Sequence, residues 1–172
     1  SALIATAGIA GIALGFGAQT LVQDFISGVF LLFDDTIHVG DLVSVNGHDG
    51  VVEYIGIRLI KVRKLSGELL MVPAGEVRLF GNRSMDFMRV IVVIGLAYEQ
   101  NLEETLPVLQ RIADEWAAEH SEILKDEEPI VQAITELGES SVNVRILIKV
   151  APGEQFEAER QIRRRIKNEF DR

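Results

Sequence analysis

Few residues of this chain could do covalent or metal chemistry, and those few are scattered. There is no cysteine, which removes thiolate nucleophiles, disulfides and most structural zinc sites. His38, His48 and His120 stand far apart, none with a carboxylate at the i+4 spacing of a helical metal pair, and each is expected at the surface. No serine sits on a nucleophile elbow. The run Gly15-Phe16-Gly17-Ala18-Gln19-Thr20 superficially matches a phosphate loop, but it lacks the third glycine and follows a Gly/Ala run rather than a β-branched strand. Catalysis, a cofactor and a bound metal are therefore not expected. Basic residues at Arg58, Lys61, Arg63 and Lys64, and at Arg163, Arg164 and Arg165, are interleaved with acids in a chain of formal net charge −9. They are expected to be solvated faces rather than a nucleic-acid surface.

The informative chemistry is that of water and hydrocarbon. Residues 1–33 carry one charge, Asp24, and include five Gly and six Ala. A helix crossing the hydrocarbon core needs about 20 apolar residues, and the run from Ser1 to Gln23 is uncharged. Small residues at every third or fourth position permit close helix–helix approach in lipid. Gly8, Gly11, Gly15 and Ala18 form one such stripe; Ala10, Ala13 and Gly17 form another. Two small faces suit a helix with a similar neighbour on each side, as in a ring. Between the stripes, Ile12 and Phe16 lie one turn apart, so copies in a ring would stack two apolar collars about 5.4 Å apart. Such a constriction can block ions by shedding water. On pattern alone a second reading stays open, in which these large residues are the core of an ordinary helix hairpin.

A break in this helix is expected near Gln19 and Thr20, because Thr20-Leu21-Val22-Gln23 has the form of a capping box. Asp24 would then sit in the first turn of a second segment, near the positive end of its dipole. The chain begins at Ser without a basic n-region, and it is expected to be a fragment lacking an upstream part.

Three regions follow from texture: 1–33, a transmembrane helix; 34–89, a small bent β-domain; and 90–172, an α+β domain. In the second, short apolar strands at 42–45, 51–55, 57–63 and 69–72 are separated by turn residues at 46–50 and at Ser66-Gly67, and Gly81-Asn82 is expected as a connector. In the third, strands at 90–96, 130–137 and 142–150 alternate with helices at 102–118 and 155–172. The last helix is expected to place Phe156, Ile162, Ile166 and Phe170 on one side. The order β-α-β-β-α suits a sandwich with helices on one face.

The run Gly11-Ile12-Ala13-Leu14-Gly15-Phe16-Gly17-Ala18-Gln19, with Gly28-Val29 beyond it, resembles the pore helix of the small-conductance mechanosensitive channels. The resemblance continues through Val39-Gly40-Asp41-Leu42-Val43, Gly50-Val51-Val52, Ile55, Arg58, Val62-Arg63, Gly67 and Val72-Pro73. It implies a membrane pore helix, an Sm-like β-domain and an α+β vestibule domain, assembled as a ring, a homoheptamer, and opened by membrane tension. It also implies that Ile12 and Phe16 are the closed-gate positions and that Gly8, Gly11, Ala13 and Gly15 pack helix against helix. Gln19, Thr20 and Gly28 fall at kink or hinge positions. Thr20 stands where the family commonly has Gly, and Ala74 where it often has Asn. The implied partners are other copies of the chain, membrane lipid, and permeating ions and small solutes, with no nucleic acid. The implied location is the inner membrane, with residues after 33 in the cytoplasm. Two alternatives remain: a membrane-anchored Sm-like RNA-binding module, and a tethered oligomeric scaffold without conduction.

Overall fold

In the computed structural model, which describes residues 2–171, α1 (Ala2–Phe33) is one uninterrupted helix. The expected break at Gln19 and Thr20 is not formed, and both residues lie within the helix. The reason is visible at Asp24, whose carboxylate is held by a backbone N–H from another element and needs no new helix start to accommodate it.

The chain divides into two compact units, Ser1–Arg83 and Ser84–Arg172, and α1 falls in the first with the first β-sheet. In the first unit, β1 (Leu42–Val45), β2 (His48–Ile55), β3 (Leu59–Arg63), β4 (Leu69–Pro73) and β5 (Phe80–Asn82) make an antiparallel sheet in the order β4-β3-β2-β1-β5. The β1–β2 hairpin turns on Asn46 and Gly47, both at positive φ (49° and 80°). That is the geometry a two-residue turn needs to follow the strand twist. Pairing of β2 with β3 shifts register between Val52 and Tyr54, a bulge that bends the sheet. Gly81 and Asn82, expected as a connector, form strand β5 and pair with Ser44 and Val43. Phe80 packs on the sheet's core and draws this short segment in. That core is built from Ile37, Val43, Val45, Val52, Ile60, Val62 and Val72.

The second unit contains β6 (Met88–Leu96), α2 (Leu102–Glu119), β7 (Ile130–Leu137), β8 (Val142–Val150) and α3 (Gln155–Phe170), with the sheet ordered β6-β8-β7. Every second residue of β8 from Val142 to Val150 is buried, as a strand with one covered face requires. Leu109, Ile112 and Trp116 of α2 and Ala158 and Ile162 of α3 fill that face. Asn101 caps α2 by accepting the Glu103 N–H at 3.0 Å. Of the four α3 residues expected on one side, Ile162 and Ile166 are buried, whereas Phe156 and Phe170 are exposed. Phe156 is six residues from Ile162, about 240° around a helix of 3.6 residues per turn, and Phe170 is the last helical residue.

Candidate functional site

Along α1 the surroundings change while the secondary structure does not. Ile12 and Phe16 are 63% and 73% exposed, and around Gly8, Gly11, Gly15 and Gly17 there is open space where a Cβ would stand. Beyond Thr20 one face of the same helix is docked. Gln23, Asp24, Ser27 and Leu31 are partly buried, Gly28 is buried, and Leu31 packs on the β-sheet core.

Two close contacts make this docking. The first is at Gly28, where an added Cβ would fall 1.6 Å from the Ile57 carbonyl oxygen. Only hydrogen fits, because the helix backbone lies directly on the backbone of the β2–β3 turn. The second is at the 3-10 turn Ala74–Glu76, which follows Pro73. Asp24 Oδ1 accepts the Gly75 N–H at 3.0 Å, and Gln23 Nε2 donates to the Gly75 carbonyl at 2.9 Å. Gly75 is thus gripped through both of its backbone polar groups by consecutive helix residues. An added Cβ there would fall 2.6 Å from Asp24 Oδ1.

The residues singled out from sequence fall into two sets. Ile12, Phe16, Gly8, Gly11, Ala13 and Gly15 lie on the free part of the helix, and Gln19 and Thr20 are also exposed. Gly28, expected near a hinge, lies at a tight contact. Sequence reasoning did not find the Asp24–Gly75 grip. The lone acid in an apolar run and a glycine two residues after Pro73 were its signals, but nothing local joins them.

The histidines and basic residues also find their places. His120, expected at the surface, is partly buried and stacks on Trp116 with ring centroids 4.5 Å apart. Its Nδ1 lies 2.9 Å from the Trp116 carbonyl oxygen, and the indole Nε1 donates to Gln161 Oε1 at 2.8 Å. Arg63 pairs with Glu53 at 2.7 Å, Lys64 with Glu68 at 2.8 Å, Arg163 with Glu159 at 2.5 Å, and Arg165 with Glu119. Among the described residues, no group of three or more His, Cys, Asp or Glu could hold a metal ion.

Residues Thr6–Phe33 are long and apolar enough to cross a membrane, and the part before the docked face, residues 6–20, is exposed except at Ala18. The described residues therefore form one long apolar helix, of a length and composition able to cross a membrane, docked on a β-sheet and followed in the chain by an α+β unit. Residues 20–82 match the family model described as "Mechanosensitive ion channel, beta-domain". Residues 90–172 match "Mechanosensitive ion channel MscS, C-terminal". The chain is 37% identical over 171 residues to the small-conductance mechanosensitive channel of Caldanaerobacter subterraneus subsp. tengcongensis, covering 99% of this chain and 60% of that protein. It is 36% identical over 172 residues to the uncharacterized MscS family protein YfkC of Bacillus subtilis, covering 94% of this chain and 61% of that protein. The structure of Helicobacter pylori MscS in its closed state superposes with a TM-score of 0.84 at 22% identity, covering 99% of this chain and 67% of that one. The chain belongs to the MscS family of mechanosensitive channels. It spans about 60% of the length of these curated relatives.

Proposed function

We propose that this chain is the pore helix and cytosolic part of an ion channel opened by membrane tension, which releases ions and small solutes on hypo-osmotic shock. The observation that carries the reading is the free half of α1. Its large apolar residues, Ile12 and Phe16, are exposed, and the small residues beside them have open space around them. In a homoheptamer embedded in lipid, Gly8, Gly11, Ala13 and Gly15 accommodate the neighbouring helices. Phe16 and Ile12 then face the axis as two collars that exclude water. Residues 1–33 are the transmembrane region, 34–89 the Sm-like β-domain and 90–172 the vestibule domain. The helix lies in the inner membrane and the remainder in the cytoplasm.

Tension shifts the closed–open balance only through a difference in membrane area between the states. With the helix gripped at Asp24 and Gly28, movement concentrates in the free segment ending near Gln19 and Thr20. Gly28 then acts as a fixed bearing on the β2–β3 turn.

The test is patch-clamp recording of the full-length parent protein in liposomes under stepped suction. Step-like currents that grow with suction are expected, and silence up to membrane rupture, with protein confirmed in the bilayer, overturns the reading.

A further inference from the structure

His38, in the segment 34–41 that leads from α1 to β1, stands between two aspartates placed three residues before and three residues after it. Its Nε2 lies 2.8 Å from Asp35 Oδ1, and its Nδ1 lies 3.6 Å from Asp41 Oδ2. The carboxylates approach opposite ring nitrogens and do not converge on one point, so the arrangement is unsuited to a metal ion. It suits a proton. A neutral imidazole carries one N–H and donates on one side, whereas an imidazolium donates on both.

The second aspartate ties the backbone of His38 into the sheet, with the ring nitrogen 3.6 Å away within ion-pair range. Asp41 Oδ2 accepts the His38 backbone N–H at 2.9 Å and Asn82 Nδ2 at 2.6 Å. The Asp41 N–H donates to the His38 carbonyl at 3.1 Å, and Asn82 Nδ2 also donates to the Thr36 carbonyl at 3.0 Å. The bonds thus run from the residues just past α1 to β1 and β5. Asp35 adopts φ 54°, a left-handed conformation that Asp tolerates better than most residues.

The charged groups of the neighbouring elements are engaged elsewhere. Glu53 of β2 pairs with Arg63 of β3 at 2.7 Å. Arg83, which follows β5, pairs with Asp49 of β2 at 3.0 Å. The Asp34 N–H closes the end of α1 on the Phe30 carbonyl at 2.8 Å. The charges acting on His38 are those of Asp35 and Asp41.

We infer that Asp35, His38 and Asp41 form a proton-operated clasp that sets how firmly the C-terminal end of α1 is tethered to the β-sheet. Its consequence for gating rests on the channel reading above; the clasp itself does not. The Asp35 hydrogen bond and charge, with Asp41 adding to them, hold the His38 imidazolium above the ordinary histidine value of 6.5. Because the folded value is raised, the contribution of the clasp is fully present below the ordinary value and is lost as pH rises through the raised one. Proteins use histidine for switches because this window lies near neutrality.

Hydrogen exchange of the full-length protein in liposomes, corrected for intrinsic rates, reads the clasp at the His38 and Asp41 amides. At about pH 6 they are protected, and towards about pH 8 they lose protection. His38→Gln, which cannot titrate, shows low protection at both pH values, and Asp35→Asn weakens the pH response. Equal protection at both pH values in the unsubstituted protein overturns the clasp. In patches from the same liposomes, the tension threshold falls as pH rises for the unsubstituted protein and is independent of pH for His38→Gln. A threshold independent of pH in the unsubstituted protein overturns the gating role even where exchange follows the proton. Absence of current under any suction overturns the channel reading, and the exchange data still decide the clasp.

Discussion

A phenyl ring and a sec-butyl group that stand exposed on a lone helix have no energetic reason to do so in water. Phe16 and Ile12 each leave uncovered a side chain whose burial is worth about 1.5–3 kcal/mol. In a ring they would face one another across an axis, where serine in their place would recruit water. Phe16→Ser and Ile12→Ser are each expected to lower the tension threshold in patch recordings, and an unchanged threshold in both removes these residues from the gate. A different residue-scale cost sits in the second unit. Gln155, 5% exposed at the start of α3, has both side-chain polar atoms buried without a hydrogen-bond partner. An unsatisfied buried polar group costs about 1–3 kcal/mol, so Gln155→Met is expected to raise the unfolding temperature. Thermal unfolding of the two proteins side by side decides it, and a lowered value means the amide is satisfied in solution.

At the scale of elements, α1 is one helix with two kinds of surroundings, and substitutions of its glycines should separate them. At Gly28 even a methyl group meets the Ile57 backbone, and Gly28→Ala is expected to cost roughly 3 kcal/mol, the upper part of the usual range for one substitution. Gly11→Ala meets open space in the single chain and is expected to leave chain stability within about 0.5 kcal/mol, while changing gating if neighbouring helices close on that face. Equal unfolding temperatures for the two variants would show that α1 is not seated on the β2–β3 turn. The Asp24 grip permits a finer test. Asp24→Asn keeps an oxygen for the Gly75 N–H and should behave nearly as the unsubstituted protein. Asp24→Leu orphans that buried donor and is expected to cost about 1–3 kcal/mol. Exchange at the Gly75 amide should rise in the leucine variant alone.

For the molecule as a whole, charge and pH make separable predictions. Each chain carries −9 formally, and the only charge within residues 1–33 is Asp24, so nearly all of the excess lies in the extramembrane part. No strong anion preference is expected, and reversal potentials in asymmetric salt that mark a clear chloride preference contradict this. Hydrogen bonds from Arg63, Lys64, Arg165 and Arg160 hold Glu53, Glu68, Glu119 and Glu157 below the ordinary carboxylate range. Because these values are lowered, the stabilisation is present above the ordinary value of about 4.3 and is lost as pH falls through the lowered ones. Unfolding temperature is therefore expected to fall on acidification below about pH 4.5. High salt should reduce the effect, since all four pairs are exposed and screened.

Much of this architecture was legible residue by residue because its causes are local. The length of 1–33 and its single charge, Asp24, suggest a helix in hydrocarbon whatever lies beyond it. The alternation in 142–150 follows from the two-residue period of a strand with one covered face. A turn was legible at 46–50, and it tightens to Asn46-Gly47 because both residues tolerate positive φ while residues 48–50 pair with β1. The features decided by tertiary structure join residues that no period relates. Asp24 meets Gly75 across 51 positions, and Gly28 rests on Ile57. Gly81-Asn82 becomes a strand because Val43 and Ser44 offer an unpaired edge. The capping-box pattern at 20–23 suggested a helix break, and Asp24 agreed with it because its distant partner was unseen. A charge in an apolar run must be satisfied, and its neighbours in sequence do not reveal whether a new helix end or a distant backbone amide will satisfy it.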